Sequence, residues 1–171
     1  LAFLYGPPKK GKTFVALDIA MSVATGARWV GETDTHQGRV LYIVGEGVAG
    51  VPRRLAAWRA GRQIGTPATI EFLPRAIQLR KPEGILALWE KVCDYEPDLL
   101  VIDTLARATV GADENTAKDM GEVVAALDVL KSTGCCVLVV HHSGKDVTKG
   151  ARGSSALSGA WDSALSVAGD T

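Results

Sequence analysis

The sequence predicts an α/β fold: a mainly parallel central sheet with helices on both faces. Two observations carry this: the strand-like segments are continuously apolar, and they alternate with helical patterns. A strand that is apolar at every position is covered on both faces, and intervening helices supply the crossovers that parallel pairing needs. Those crossovers are right-handed.

Residues 1–5 (LAFLY) form the first run. After a glycine-containing turn, residues 12–24 read as a helix that is apolar nearly all round, through Phe14, Val15, Ala16, Leu17, Ile19, Ala20, Met21 and Val23, with Gly26 ending it. Such a helix suits a position packed between the sheet and other structure. Residues 40–44, 99–102 and 136–140 read as strands, 70–73 as a shorter one and 165–168 as the weakest. The clearest amphipathic helix sets Met120, Val123, Val124, Leu127 and Leu130 on one face, with Lys118, Glu122, Asp128 and Lys131 elsewhere and Gly134 as its C-cap. Residues 61–67 and 110–115 read as loops. No repeat, low-complexity tract or long linker interrupts the 171 residues, so residues 1–171 read as a single domain. Opening at Leu1 inside an apolar run, it reads as a core excised from a longer chain.

Composition narrows the function classes. With 47% hydrophobic residues the chain can bury a core, which argues against disorder. Lys+Arg and Asp+Glu both number 19, so no net charge draws the whole molecule to a polyanion, and any such binding comes from local patches. Cys93, Cys135 and Cys136 show neither CxxC spacing nor a nearby histidine pattern, which speaks against a disulfide scaffold or a zinc module. No apolar stretch approaches the roughly 18 residues of a membrane span, and the expectation is a cytoplasmic protein of a reducing compartment.

The strongest signal is Gly6-Pro7-Pro8-Lys9-Lys10-Gly11-Lys12-Thr13, which fits G-x-x-x-x-G-K-[ST] between a predicted strand and a predicted helix. Glycines let the backbone N–H groups of such a loop converge on phosphate oxygens, and the following helix presents its positive end to them. Lys12 is placed to neutralise the β and γ phosphates and Thr13 to ligate magnesium. The predicted nucleotide-binding set runs through Gly6, Pro7, Pro8, Lys9, Lys10, Gly11, Lys12, Thr13 and Phe14. A kinase glycine loop or a dinucleotide fingerprint does not end in Gly-Lys-Thr at a helix start.

Three further positions follow strands and so fall at the same carboxyl edge. Asp103 closes Leu99-Leu100-Val101-Ile102, the shape of a Walker B strand whose carboxylate holds magnesium; the plainer reading is an aspartate capping the next turn. Glu46, in Gly45-Glu46-Gly47, can deprotonate an attacking water or simply be a solvated turn acid. His141 and His142 end the strand at 136–140 on opposite sides, so at most one faces a nucleotide, where it can sense the γ-phosphate; the alternative is a capping or exposed pair.

Taken in order, GPPKKGKT, YIVGEG, LLVIDT, VLVVHHSGK and RGSSALSGAWDS resemble the RecA-like ATPase core of the RepA type found in plasmid and phage replicative helicases, and the related AAA_25-type ATPases. The resemblance covers nearly the whole chain. It implies ATP and magnesium as ligands, ATP bound at subunit boundaries, a homo-oligomer that is often a hexameric ring, and translocation on single-stranded DNA. By the same resemblance Lys12 and Thr13 take phosphate and magnesium, Glu46 is the catalytic base, Asp103 the Walker B acid and His142 the γ-phosphate sensor. RepA-like helicases carry, in the strand after RGSS, an arginine that acts on the neighbouring subunit's ATP. Here Gly159-Ala160-Trp161-Asp162-Ser163 has none, so Arg152 substitutes or that residue lies beyond Thr171.

Lys145, Lys149 and Arg152 make a basic loop after the histidines, a candidate contact for single-stranded DNA or a solvated segment. Arg53, Arg54, Arg59 and Arg62 form a second basic cluster, read here as a wet helix face rather than a DNA or subunit surface. Trp58, Trp89 and Trp161 read as packing residues, while Trp29 has no assigned role. The leading reading is an ATPase motor acting in replication or recombination; the alternative is an ATP-dependent switch or clamp on a protein partner. A small-molecule phosphotransferase ranks last, because its lid would have to lie within residues 61–82.

Overall fold

The computed structural model describes residues 1–30, 33–75, 77–142 and 154–168. Six strands, β1 (Ala2–Gly6), β2 (Val40–Val44), β3 (Ile70–Leu73), β4 (Leu99–Asp103), β5 (Cys136–His142) and β6 (Ser163–Ser166), form one sheet in the order β3-β2-β4-β5-β1-β6. Every pairing is parallel. The α-helices are α1 (Lys12–Thr25), α2 (Val51–Arg62), α3 (Pro82–Tyr95), α4 (Leu105–Ala108), α5 (Ala117–Lys131) and α6 (Ser155–Ser158), and a 3₁₀ turn at Val48–Gly50 leads into α2.

Side chains alternate across a strand, so each central strand feeds two cores. On one face Phe3, Leu41, Ile43, Leu100, Ile102, Val137 and Val139 pack with Leu88 and Val92 of α3 and with Met120, Val123, Leu127 and Leu130 of α5. On the other, Leu4, Tyr42, Val44, Val101, Leu138 and Val140 pack with Ala16, Leu17, Ala20 and Ala24 of α1. β2 and β4 are buried at every position, which is why they read as unbroken apolar runs. The small residues of α1 let it lie close against the sheet.

Several boundaries differ from the sequence reading. β4 includes Asp103, and β5 continues through His142. β6 begins at Ser163, two residues before the segment its apolar residues suggested, because pairing with β1 sets its register from Ala2↔Ser163 to Tyr5↔Ser166. All four of its residues are exposed at the sheet edge. α5 ends at Lys131 with Ser132 as its cap; Gly134, at φ 93°, takes the turn into β5 instead. Residues 61–62 finish α2 rather than opening a loop. Within residues 61–82, the segment weighed as a lid, lies the sheet strand β3. Trp161 packs on Phe3 and Tyr5, and the Trp58 indole N–H donates to Asp18 at 2.6 Å, but Trp89 is 39% exposed and is no core residue.

Because all the strands run one way, the ends of β1, β2, β4 and β5 share one edge. The chain leaves β1 and crosses to β2 three places away, the kind of reversal that opens a crevice at the carboxyl edge of an α/β sheet.

Candidate nucleotide site

Strand parity decides which residues meet there. Residues 99 and 101 of β4, 138 and 140 of β5 and 4 of β1 face α1, so by alternation Asp103, His142 and Gly6 end on that side too. The register sets Gly6 beside His142 and Val44 beside Asp103. His141 has the opposite parity and is buried, its ring edge-on to Phe3 at 6.5 Å.

The loop between β1 and α1 needs its two glycines for different reasons. Gly11 sits at φ 90°, a left-handed conformation that L side chains resist. Gly6 is a close approach: a Cβ there would collide with the Val167 carbonyl. Pro8 and Lys9 are exposed, with Pro7 and Lys10 half-buried. No side chain caps α1; the Phe14 and Val15 N–H groups donate to the Gly11 carbonyl at 2.8 and 3.1 Å, which leaves the N–H groups of Lys12 and Thr13 as the helix's uncapped donors. Lys12 is only 5% exposed, and its Nζ donates to the carbonyls of Gly6 at 2.9 Å and Pro7 at 2.8 Å. Burial lowers its pKa, and the charges of Asp103 and Glu46 oppose that shift.

Asp103 is buried at the end of β4. Its Oδ2 accepts a hydrogen bond from the Tyr42 hydroxyl at 2.8 Å, while Oδ1 has no hydrogen-bond partner among the described residues. Burial raises its pKa, and the hydroxyls of Tyr42 and Thr13 hold it down. An unsatisfied carboxylate oxygen close to a threonine hydroxyl is the oxygen-donor chemistry that a hard divalent cation takes, so Thr13 and Asp103 fit magnesium.

Glu46 follows β2 and is held from two sides. The Gly45 N–H donates to the Asp103 carbonyl at 2.6 Å, and Arg107 Nε of α4 lies 3.5 Å from the Glu46 carboxylate. Gly45 is required by this packing, since a Cβ would come within 2.8 Å of Arg107 Cβ. His142 is half-buried, its pKa lowered by burial and by Lys12, so its imidazole is neutral at neutral pH; its Nδ1 is buried with no partner among the described residues.

Lys12, Thr13, Glu46 and His142 meet at a cleft of about 190 Å³ that is also lined by Lys9, Gly11, Phe14, Arg54 and Thr104, with Asp103 buried beside it at the end of β4. A larger cavity of about 440 Å³, lined in part by Val92, Cys93, Thr133 and Cys135, opens at the opposite, amino edge of the sheet, away from this chemistry. Lys145, Lys149 and Arg152 lie outside the described residues.

Three residues at the site have no counterpart in the motif reading: Tyr42, Arg54 and Arg107. A tyrosine inside the otherwise aliphatic Val40-Leu41-Tyr42-Ile43-Val44 was the one available signal for the first. The arginine cluster is not uniformly a wet face. Arg53 and Arg59 are exposed, but Arg62 pairs with Asp18 at 2.6 Å and Arg54 reaches the cleft.

Among solved structures, the chain is similar to a KaiC-like protein from the hyperthermophilic archaeon Pyrococcus horikoshii OT3, at 16% sequence identity and a TM-score of 0.55. The match covers 82% of this chain and 60% of that one, and at this identity it shows a shared RecA-like fold. No curated protein matches the sequence. The family model of AAA_25, described as an AAA domain, matches residues 1–147, a span that holds the phosphate loop, Glu46, Asp103, His141 and His142. The chain therefore belongs to the AAA_25 family, with a RecA-like P-loop ATPase core.

Proposed function

We propose that this core hydrolyses ATP in a magnesium-dependent reaction and couples it to movement on single-stranded DNA, as a helicase or translocase in replication or recombination of plasmid, phage or bacterial DNA. The observation that carries the ATPase chemistry is the juxtaposition, at one edge of the sheet, of a buried Lys12, an uncapped helix start and the buried, unsatisfied Asp103 Oδ1, whose charge acts on Lys12. Glu46 takes a proton from the attacking water as its oxygen bonds to the γ phosphorus, and the bond to the β–γ bridging oxygen breaks with its electron pair leaving on ADP. Lys12 and the first N–H groups of α1 hold the phosphate oxygens throughout. Thr13 and Asp103 would hold magnesium, which when bound neutralises charge on the β and γ phosphates. Neutral His142 donates or accepts a hydrogen bond at the γ end, and β5 carries that signal into the residues that follow, among them Lys145, Lys149 and Arg152. Assembly as a homo-oligomer, with a hexameric ring as the state to test, completes the proposal.

Steady-state hydrolysis by the full chain at low salt, with and without single-stranded DNA, tests this. Chelation of divalent cations is expected to abolish turnover and added magnesium to restore it. DNA is expected to stimulate turnover several-fold, with the stimulation lost as salt rises, because phosphate contacts release counterions. Turnover indifferent to DNA at every salt concentration would instead favour a nucleotide switch acting on a protein partner.

Tyr42 gives a narrower prediction. Its hydroxyl is one of the contacts holding the Asp103 pKa down, so Tyr42→Phe lets that pKa rise. The acid limb of the pH–rate profile should move to higher pH, and kcat at neutral pH should fall by about 2- to 10-fold, the scale of one ordinary intramolecular hydrogen bond. An unmoved acid limb would separate Tyr42 from the chemistry.

A further inference from the structure

We infer that Arg54 supplies, from within the same subunit, the cation that stabilises negative charge at the γ end of the bound nucleotide. The inference rests on the ATPase reading of the cleft and names a residue that reading does not use.

Position comes first. Arg54 lies on α2, reached from the Glu46 turn through the 3₁₀ turn at Val48–Gly50, and it lines the same cleft as Glu46, Lys12, Thr13 and His142. Its guanidinium is built into place. It lies over the Phe14 ring, 5.5 Å from the centroid, with Nη1 3.4 Å from the Gly47 carbonyl. Gly50 leaves room for it: a Cβ there would stand 3.0 Å from Arg54 Nη2, although the backbone of Gly50 is one that any residue adopts. The exposure of Phe14, 62% in a helix that is otherwise buried or half-buried, then has a purpose as the shelf under this cation.

Charge decides what the shelf is for. Arg28, Arg39, Arg62, Arg80 and Arg107 each pair with a carboxylate. No carboxylate among the described residues pairs with Arg54. An aromatic face and a single carbonyl hold a guanidinium in position without neutralising it, whereas a carboxylate would cancel the charge the site needs. Lys12 is tied at the base of the cleft by two carbonyls, and Arg107 is engaged with Glu46. Arg54 is therefore the cleft's uncommitted guanidinium, with a planar fork of donors suited to phosphoryl oxygens. Residues 159–163 contain no arginine, so that segment supplies no competing cation.

The experiment uses the full chain with Arg54→Ala and Arg54→Lys. An arginine that acts on developing charge changes kcat by about 10³–10⁵-fold in phosphoryl-transfer enzymes. With Lys12 and magnesium still present, Arg54→Ala is expected to lower kcat by about 10²–10³-fold. Affinity for ADP should stay within about threefold of wild type, which also shows that the site is folded, while affinity for ADP with aluminium fluoride, a mimic of the transferring phosphoryl group, falls together with kcat. Arg54→Lys should recover part of the loss. Mixing Arg54→Ala with Lys12→Met protomers separates action within a subunit from action across an interface. No recovery of turnover is expected; recovery would show that Arg54 serves a neighbour and overturn the inference. Wild-type kcat in Arg54→Ala, or an equal loss of affinity for ADP and for the mimic, would overturn it too. A wild-type chain that binds ADP but does not hydrolyse ATP would sink the ATPase reading and this inference with it.

Discussion

Glu46→Gln is expected to bind ATP as tightly as the wild type but to turn it over about 10²–10⁴-fold more slowly, the range that a positioned general base contributes. The amide has the size of the carboxylate and can still face Arg107 through its oxygen, so the turn that carries it keeps its shape. That turn is anchored by the backbone, through the Gly45 N–H to the Asp103 carbonyl, and by the contact of Gly45 with the stem of Arg107. Neither anchor involves the Glu46 carboxylate. What the amide loses is the ability to accept a proton from water. Equilibrium binding of ATP and single-turnover hydrolysis on the same preparation separate the two effects. Equal turnover would remove Glu46 from the mechanism and leave it as a surface acid paired with Arg107.

Lys12→Met separates function from stability in a different way. ATP affinity should drop by about 10²-fold, because the charge-assisted hydrogen bonds that the buried Lys12 can give to phosphate are lost. The nucleotide-free variant should nevertheless melt no lower than the wild type. Burial depresses the Lys12 pKa below its ordinary value of 10.5, so the folded state holds this proton less firmly than the unfolded chain does. At neutral pH the charged amine therefore weakens the fold. As pH rises from the lowered folded pKa toward 10.5, the unfolded chain binds more protons at this site than the folded one, and wild-type stability rises relative to the variant. Thermal melts at pH 7 and across the alkaline range check both the ordering and the direction. A variant that melts well below wild type at pH 7 would mean that the two carbonyl contacts outweigh the buried charge. Loss of stability in exchange for function is common where a site is built to hold something absent from the resting protein.

The sheet was legible in the sequence because its central strands are buried on both faces and leave no polar position to obscure the pattern. Asp103, Glu46 and His142 were legible for a related reason: each ends or follows such a run, and parallel strands bring their ends to one edge. Tyr42 was hidden because its role depends on β2 and β4 being neighbours, which neither strand states alone. Arg107 became visible only once α4 had folded back against the Glu46 turn. α2 buries just Val51 completely, so its arginines showed no periodic face to separate Arg62, which pairs with Asp18, and Arg54, which reaches the cleft, from the exposed Arg53 and Arg59. β6 was misplaced by two residues because its apolar content does not set its position. The backbone of β1 does.

That last dependence runs both ways. β6 is exposed along its length, yet the residue after it, Val167, donates its N–H to Tyr5 at 2.8 Å and presses its carbonyl against Gly6, where no side chain could fit. Gly6 is also the first residue of the phosphate loop, and its carbonyl holds Lys12. The outermost strand is thus mechanically in series with the nucleotide cradle. A force that slides β6 along its axis cannot be absorbed by a yielding side chain at Gly6; it is transmitted to the backbone that grips the lysine. In the reverse direction, a change in how Lys12 is held acts on the same Gly6 backbone that bears on the Val167 carbonyl at the rim of the sheet.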